Sequence, residues 1–286
     1  MKRVLVTGGN GQLARCINDV ANSLTEYEFI FASSSDLDIT NRAQINTFFD
    51  QNTFSYCINC AAYTAVDKAE EDSEVAFKVN ADGALNLAKA CQESGTTLIH
   101  ISTDFVFDGE KSCSYEESDP TNPINIYGAS KLKGEQLIQE NLSQYFIIRT
   151  SWMYSEYGSN FLKTMLRLGK EKAALNVVSD QIGSPTYAKD LAKVILKIIE
   201  VDSKNYGVYH YANGGKTSWY GFAKAIFEES SIYIKLNEIK SEEYLTPAKR
   251  PYYSVLSKKK IIDKLDLDIP YWKDSLKVAI KTLNKD

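Results

Sequence analysis

Long apolar runs are missing from this chain: no stretch approaches the roughly 20 residues that cross a bilayer as a helix, so no membrane partner is expected. An excess of positive charge is missing too. The 286 residues carry 33 Lys and Arg against 37 Asp and Glu, a net charge of -4. The basic stripe that binding to a phosphate backbone demands is absent, and the short cluster Lys258 to Lys260 reads as a solvated helix face. Nucleic acid is therefore not an expected partner. Cysteines are few and odd in number, five scattered along the chain, which suits a reducing compartment better than a disulfide framework. The opening MKRVLVTGG starts with positive charge, but its apolar run is too short for a secretory signal and breaks at Gly8. A cytoplasmic location is expected. Internal repeats, low-complexity tracts and obvious linkers are also absent.

One pair, Cys57 and Cys60 in YCINCAAY, has Cys-x-x-Cys spacing. Its surroundings are short and apolar, as in a buried strand, where side chains three apart point to opposite faces. Two such thiols cannot readily bridge or share a metal, and a redox pair needs a helix start, so a structural role is the expectation.

What is present is an alternation. Arg3 to Gly8 (RVLVTG) reads as a short buried strand, Gly11 to Leu24 as a helix, Tyr27 to Ser33 as a strand, and Asn41 to Asn52 as a helix with Thr40 as its cap. Ser55 to Ala61, Thr97 to Ser102 and Tyr145 to Thr150 are further strands, separated by helices at Ser73 to Ser94 and Tyr127 to Asn141. Near-continuously apolar strands joined through helices need right-handed crossovers, so the sheet is parallel and covered on both faces. The fold expected is α/β, a doubly wound, Rossmann-like domain over residues 1–155. Residues 156–286, where the alternation loosens, are expected to form a smaller, mainly helical substrate-binding region, with a soft boundary that the chain can cross more than once.

Between the first strand and first helix lies VTGGNGQLA, with Gly8, Gly11 and Ala14 at G-x-x-G-x-x-A spacing. Glycine at the first two positions permits a tight turn and a close approach of backbone to a pyrophosphate, which then sits on the helix amino terminus. Gly8, Asn10, Gly11, Gln12 and Leu13 are the candidate cofactor contacts of this loop. The second strand ends FASSSDLD, with Ser33 where an acid would bond the ribose of NAD and repel a 2′-phosphate. NADPH is the expected cofactor, with NADH tolerated.

Two Tyr-x-x-x-Lys pairs occur, Tyr127 with Lys131 and Tyr220 with Lys224. A reductase must supply a proton to a carbonyl oxygen as charge develops there. A tyrosine does this when a lysine one turn away favours its phenolate. Only the first pair follows a strand that ends in hydroxyl side chains, Ser102 and Thr103 in HISTDFVFDG, so the second is read as chance. His100 and His210, in strand-like LIHIS and VYHYA, are read as structural, and neither sits in a cluster of metal ligands.

The glycine loop, the Ser/Thr strand end and Tyr-x-x-x-Lys, in this order, resemble the extended short-chain dehydrogenase/reductase superfamily. CAAYTAVDKAE, STDFVFDG, PINIYGASKLKGE, RTSWMY, NFLKTML, DQIGSPTYAKDLA and KRPYYSVL resemble, within it, the dTDP-4-dehydrorhamnose reductase family over nearly the whole chain. That resemblance implies reduction of the C4 ketone of dTDP-4-dehydro-L-rhamnose, a nucleotide-sugar substrate, in the making of surface polysaccharide. It implies that Thr103 bonds the keto oxygen, Tyr127 delivers the proton, and Lys131 tunes Tyr127 and holds ribose. Asp38 and Ile39 fall to the adenine side of the cofactor, and Ala61, Ala62 and Tyr63 to the wall along its pyrophosphate and ribose. Val66, Asp104 and Trp152 face the sugar, with Asn160 and Arg250 as candidates for its diphosphate. Related dehydratases read Thr-Asp-Glu where this chain reads Thr103-Asp104-Phe105, which disfavours dehydration. Some family members bind Mg²⁺ at a dimer contact through acids near the first helix. LARCIND has no early acid there, so no metal site is expected, while a homodimer stays open. Two alternatives remain: a reductase of another nucleotide-linked 4-keto-6-deoxyhexose, and a non-catalytic NADP-binding regulatory subunit.

Overall fold

A computed structural model describes residues 1–284. Its centre is a six-stranded sheet made of β1 (Lys2–Thr7), β2 (Tyr27–Ala32), β3 (Tyr56–Asn59), β4 (Thr97–Thr103), β5 (Tyr145–Thr150) and β6 (Gly207–His210). The spatial order is β6-β5-β4-β3-β1-β2 and every pairing is parallel. Alternate residues of each strand feed two cores. Val4, Val6, Ile58, Ile99 and Ile148 pack on one face with the helices Gln12–Ala21 and Ala188–Glu200. Leu5, Cys57, Leu98 and Ile147 pack on the other with Arg42–Gln51, Gly83–Ser94 and Ile126–Asn141. Burial on both faces is why these strands are almost wholly apolar. Cys57 and Cys60 go to opposite faces, and both are free thiols.

Strand order reverses between β1 and β3, and the crevice at their carboxyl ends is where such sheets bind ligands. Two local details differ from the sequence reading. The helix Arg42–Gln51 is capped by Asn41, whose side chain accepts from the Gln44 amide at 3.1 Å, while the Thr40 hydroxyl bonds Asp38 instead. The run Ser73 to Ser94 is not one regular helix, because a π-helical turn at Lys78–Asp82 interrupts it. There Gly134 of the neighbouring helix lies so close that a Cβ would stand 2.2 Å from the Asn80 carbonyl, and such wide turns recur beside functional sites.

Beyond residue 155 the chain returns to the first layer with the helix Ala188–Glu200 and with β6. The rest builds a third core from Tyr154, Leu162, Tyr187, Phe222, Ile226, Trp272 and Leu276. This second lobe is less purely helical than expected: Ala174–Val178 and Lys235–Ile239 form a parallel pair within it.

Candidate active site

The glycine turn is shaped by what lies against it. Gly8 has φ +65°, and a Cβ there would stand 2.8 Å from the Ala61 amide, so side chains are excluded both by conformation and by space. The Gly11 amide donates to the Gly8 carbonyl at 2.8 Å and closes the turn. The helix Gln12–Ala21 then begins with Gly11 at its cap and no side chain bonding its first amides. Those unsatisfied N–H groups and the positive end of the helix dipole fit a pyrophosphate.

Two cavities meet at this turn and share Gly11, Cys60 and Ala62. The smaller, about 320 Å³, holds Gly8, Asn10, Ser33, Asp38, Ile39 and Ala61 in its walls. The larger, about 500 Å³, holds Gln12, Leu13, Val66, Thr103, Asp104, Tyr127, Lys131 and Trp152. An elongated dinucleotide with a sugar at its far end fits such a pair of chambers.

Tyr127 lies in the first turn of the helix Ile126–Asn141. That helix is fixed by Asn125, whose side chain accepts from the Gly128 amide at 2.7 Å and donates to the Lys249 carbonyl at 2.8 Å. Gly128 lets the helix touch the segment after β4, since a Cβ there would fall 2.1 Å from the Phe105 carbonyl oxygen. Tyr127 and Thr103 thereby line the same cavity. Burial pushes the Tyr127 phenol up to about 12; the nearby Thr103 hydroxyl opposes this and the charge of Asp104 adds to it. Lys131, 2% exposed, points Nζ into the sheet, 2.6 Å from the Ile101 carbonyl and 3.2 Å from His100 Nε2. Burial brings it down to about 8. Lys131 Nζ thus bonds the Ile101 carbonyl and His100, one helical turn from the buried phenol.

Asp104 is buried, accepts from the Thr103 hydroxyl at 3.1 Å, and leaves Oδ2 without a partner. Burial lifts its carboxyl to about 7, opposed by the nearby Ser254 hydroxyl and by the bond from Thr103. The Ser102 hydroxyl faces the other way, donating at 2.5 Å to Glu135, which also pairs with Arg149 at 2.6 Å. Of the two hydroxyls at the end of β4, only that of Ser102 is tied to Glu135, and Thr103 lines the cavity with Tyr127.

Trp152 sits just past β5 with φ +47° and stacks on Trp219, ring centroids 3.6 Å apart. Gly183 makes room for it, because a Cβ there would stand 2.5 Å from the indole. Trp219 lines the larger cavity, as do Thr64, Phe105 and Ser159, none of them singled out from the sequence. For Trp219 a signal existed: an aromatic at the start of an amphipathic helix, directly before Tyr220.

Three candidates do not line either cavity. Tyr63 turns its hydroxyl to Asp72 at 3.2 Å. Asn160 caps the helix Phe161–Glu171, accepting from the Lys163 amide and donating to the Ser155 carbonyl. Arg250 is held by a two-pronged pair with Asp67, at 3.0 and 2.7 Å, and by Thr246 and the Ala248 carbonyl. A fork already occupied by a carboxylate is not free for a diphosphate. Beside the smaller cavity, the Ser33 hydroxyl and amide both bond Asp36, at 2.5 and 2.9 Å. A carboxylate thus stands three residues beyond the position where the sequence showed none.

A parallel, doubly wound sheet with a glycine turn at its switch point, and Thr103, Tyr127 and Lys131 gathered on the adjoining cavity, has the architecture of the short-chain dehydrogenase/reductases. A profile described as the RmlD substrate binding domain matches residues 1–285. A dTDP-4-dehydrorhamnose reductase of Aggregatibacter actinomycetemcomitans is 41% identical, over 97% of this chain and 98% of that protein. A solved dTDP-4-dehydrorhamnose reductase of Clostridium acetobutylicum superposes with a TM-score of 0.95 at 44% identity, covering 99% of both chains. One from Bacillus anthracis, solved in complex with NADP, gives 0.95 at 43%, covering 99% of this chain and 100% of that one. The chain belongs to the dTDP-4-dehydrorhamnose reductase family.

Proposed function

We propose that this protein reduces the C4 ketone of dTDP-4-dehydro-L-rhamnose to give dTDP-L-rhamnose, using NADPH. The observation that carries the reading is the convergence of Thr103, Tyr127 and Lys131 on the cavity that adjoins the glycine turn, in a chain that matches reductases of this name from end to end. NADPH supplies the hydride. Tyr127 gives its phenolic proton to the C4 oxygen, and its raised pKa keeps it protonated throughout the neutral range, the state in which a reduction begins. Thr103 hydrogen-bonds the same oxygen and orients it. Lys131 places positive charge beneath the developing phenolate and reaches the ribose of the cofactor. The amides of the glycine turn hold the pyrophosphate, while Ser33, Asp38 and Ile39 line the adenosine side. Val66, Asp104 and the stacked Trp152 and Trp219 enclose the sugar, aromatic faces being suited to pack a pyranose. Cytoplasmic action belongs to the same proposal, and the buried free thiols Cys16, Cys57 and Cys91 accord with a reducing compartment.

The test is turnover. Purified protein with NADPH and dTDP-4-dehydro-L-rhamnose should oxidise the cofactor and yield dTDP-L-rhamnose, identified by NMR. A panel of other dTDP- and UDP-linked 4-keto-6-deoxyhexoses should react at least tenfold more slowly in kcat/KM, about 1.4 kcal/mol. A better substrate in the panel would reassign the sugar, and no turnover on any of them would contradict the enzymatic reading.

A further inference from the structure

Behind Lys131 a buried chain of polar side chains runs across three strands to the glycine turn. Lys131 Nζ stands 3.2 Å from His100 Nε2, and His100 Nδ1 stands 3.0 Å from Asn59 Nδ2. Asn59 Oδ1 accepts from the Thr7 hydroxyl at 2.7 Å and from the Ala61 amide at 3.2 Å. All three side chains beyond Lys131 are at most 1% exposed, so every proton in the chain must be accounted for without solvent.

The account begins at Ala61. A backbone N–H can only donate, so the Asn59 atom facing it is Oδ1, and Nδ2 must face His100 and donate to Nδ1. His100 is held neutral by its burial, which pushes its pKa well below the ordinary value. A neutral imidazole carries one proton, and with Nδ1 accepting, that proton is on Nε2, aimed at Lys131. An ammonium has no lone pair to receive it, whereas a neutral amine accepts it and still donates to the Ile101 carbonyl at 2.6 Å.

We propose that Asn59 and His100 are positioning residues that set the proton state of Lys131: by locking His100 as the Nε2–H tautomer they make the active ammonium give up its proton more readily than a free lysine does. This deepens the reductase reading and rests on it. The other groups around Nζ do not account for the arrangement: Glu135 and Cys60 both favour the charged form, Glu135 is itself paired with Arg149 and Ser102, and Tyr127 is one turn away on the same helix. Both anchors of Asn59 belong to the segments that enclose the pyrophosphate site, Thr7 directly before Gly8 and Ala61 packed against it. Lys131 thus becomes a group whose charge changes readily, coupled to the turn on which the cofactor would lie.

The chain has two histidines, which makes the tautomers directly readable by NMR of protein labelled with ¹⁵N-histidine. His210 is the internal control: its Nδ1 donates to the Tyr115 carbonyl at 3.1 Å and its Nε2 faces Arg149 at 3.4 Å, the opposite tautomer. A His210→Asn variant assigns the signals. Without any cofactor, His100 should show a proton on Nε2, with a shift that titrates near pH 8 as Lys131 does, and Lys131→Met should abolish that titration. A proton on His100 Nδ1, or a shift indifferent to Lys131, overturns the proposal. In turnover, Asn59→Asp should draw the imidazole proton to Nδ1 and free Nε2 to accept from the ammonium. The loss of kcat at high pH, expected near pH 8, should then move up by about one unit, a roughly tenfold gain at pH 9 relative to pH 7. A uniform fall in kcat at every pH would mean a merely structural role. Absence of turnover in the unsubstituted protein would strike the reductase reading alone, since the tautomer measurement needs no activity.

Discussion

Tyr127 with Lys131 and Tyr220 with Lys224 are nearly the same object in sequence and in local structure. Each tyrosine opens a helix behind a polar cap, Asn125 in one and Ser218 in the other, and each is followed by a glycine whose amide donates to that cap, at 2.7 and 3.0 Å. What differs is the ground beneath them. The first helix lies over the carboxyl end of β4, so its lysine is buried against the strand and its tyrosine shares a cavity with Thr103. The second packs through Phe222 and Ile226 into the second lobe, and Lys224 is exposed over a surface hollow lined by Phe227, Glu228 and Tyr233. Among the described residues, no strand end delivers a hydroxyl to that hollow. A four-residue spacing supplies geometry within a helix; the topology of the sheet supplies the chemistry.

The largest expected break in this contrast is Lys131→Met. It removes the charge near Tyr127 and the ribose contact together, so kcat should fall about 100-fold and NADPH binding about tenfold, read by steady-state kinetics and fluorescence titration. Lys224→Met should change neither.

Asp104→Asn sharpens the contrast at smaller scale, because the first site holds a buried acid and the second does not. Asp104 titrates near 7 in the fold against an ordinary 3.8. The fold therefore holds more protons than the unfolded chain between those values, and the stability tied to this group is present below about pH 4 and lost as pH rises through 7. Asparagine is always neutral, so the variant should melt higher than the unsubstituted protein at pH 8, by an amount on the order of a few kcal/mol, and show no such advantage at pH 4. Equal differences at both pH values would place the Asp104 titration elsewhere. The smallest effect is none: treatment with a chelator should leave turnover unchanged, and activity restored by Mg²⁺ would reveal a metal site.

Much of the fold was legible because buried parallel strands leave apolar runs such as VLV and YCI between helical segments, and the glycine turn and YGASK mark where the ligand edge lies. What stayed hidden depends on partners distant in sequence. Arg250 reads as a free cation until Asp67, 183 residues away, closes on its fork. His100 reads as a core histidine until the sheet brings it between Asn59 and Lys131. Trp219 joins the cavity only because the second lobe folds back over it. Thr40 and Asn41, adjacent and both able to cap, differ only in which neighbour each side chain finds. Local pattern identifies elements, and the pairing of side chains across elements decides which polar groups remain free to act.

The central claim, that the buried pair is the chemical one, is tested most directly by kcat for Tyr127→Phe beside Tyr220→Phe, with NADPH Kd measured for both. Each substitution keeps the ring and removes one hydroxyl. Tyr127→Phe should lower kcat by about 10²- to 10⁴-fold, the usual worth of general acid catalysis, with cofactor affinity nearly unchanged, while Tyr220→Phe should stay within twofold of the unsubstituted rate. Turnover by Tyr127→Phe at close to the full rate, on every keto sugar that the unsubstituted protein reduces, would contradict the account.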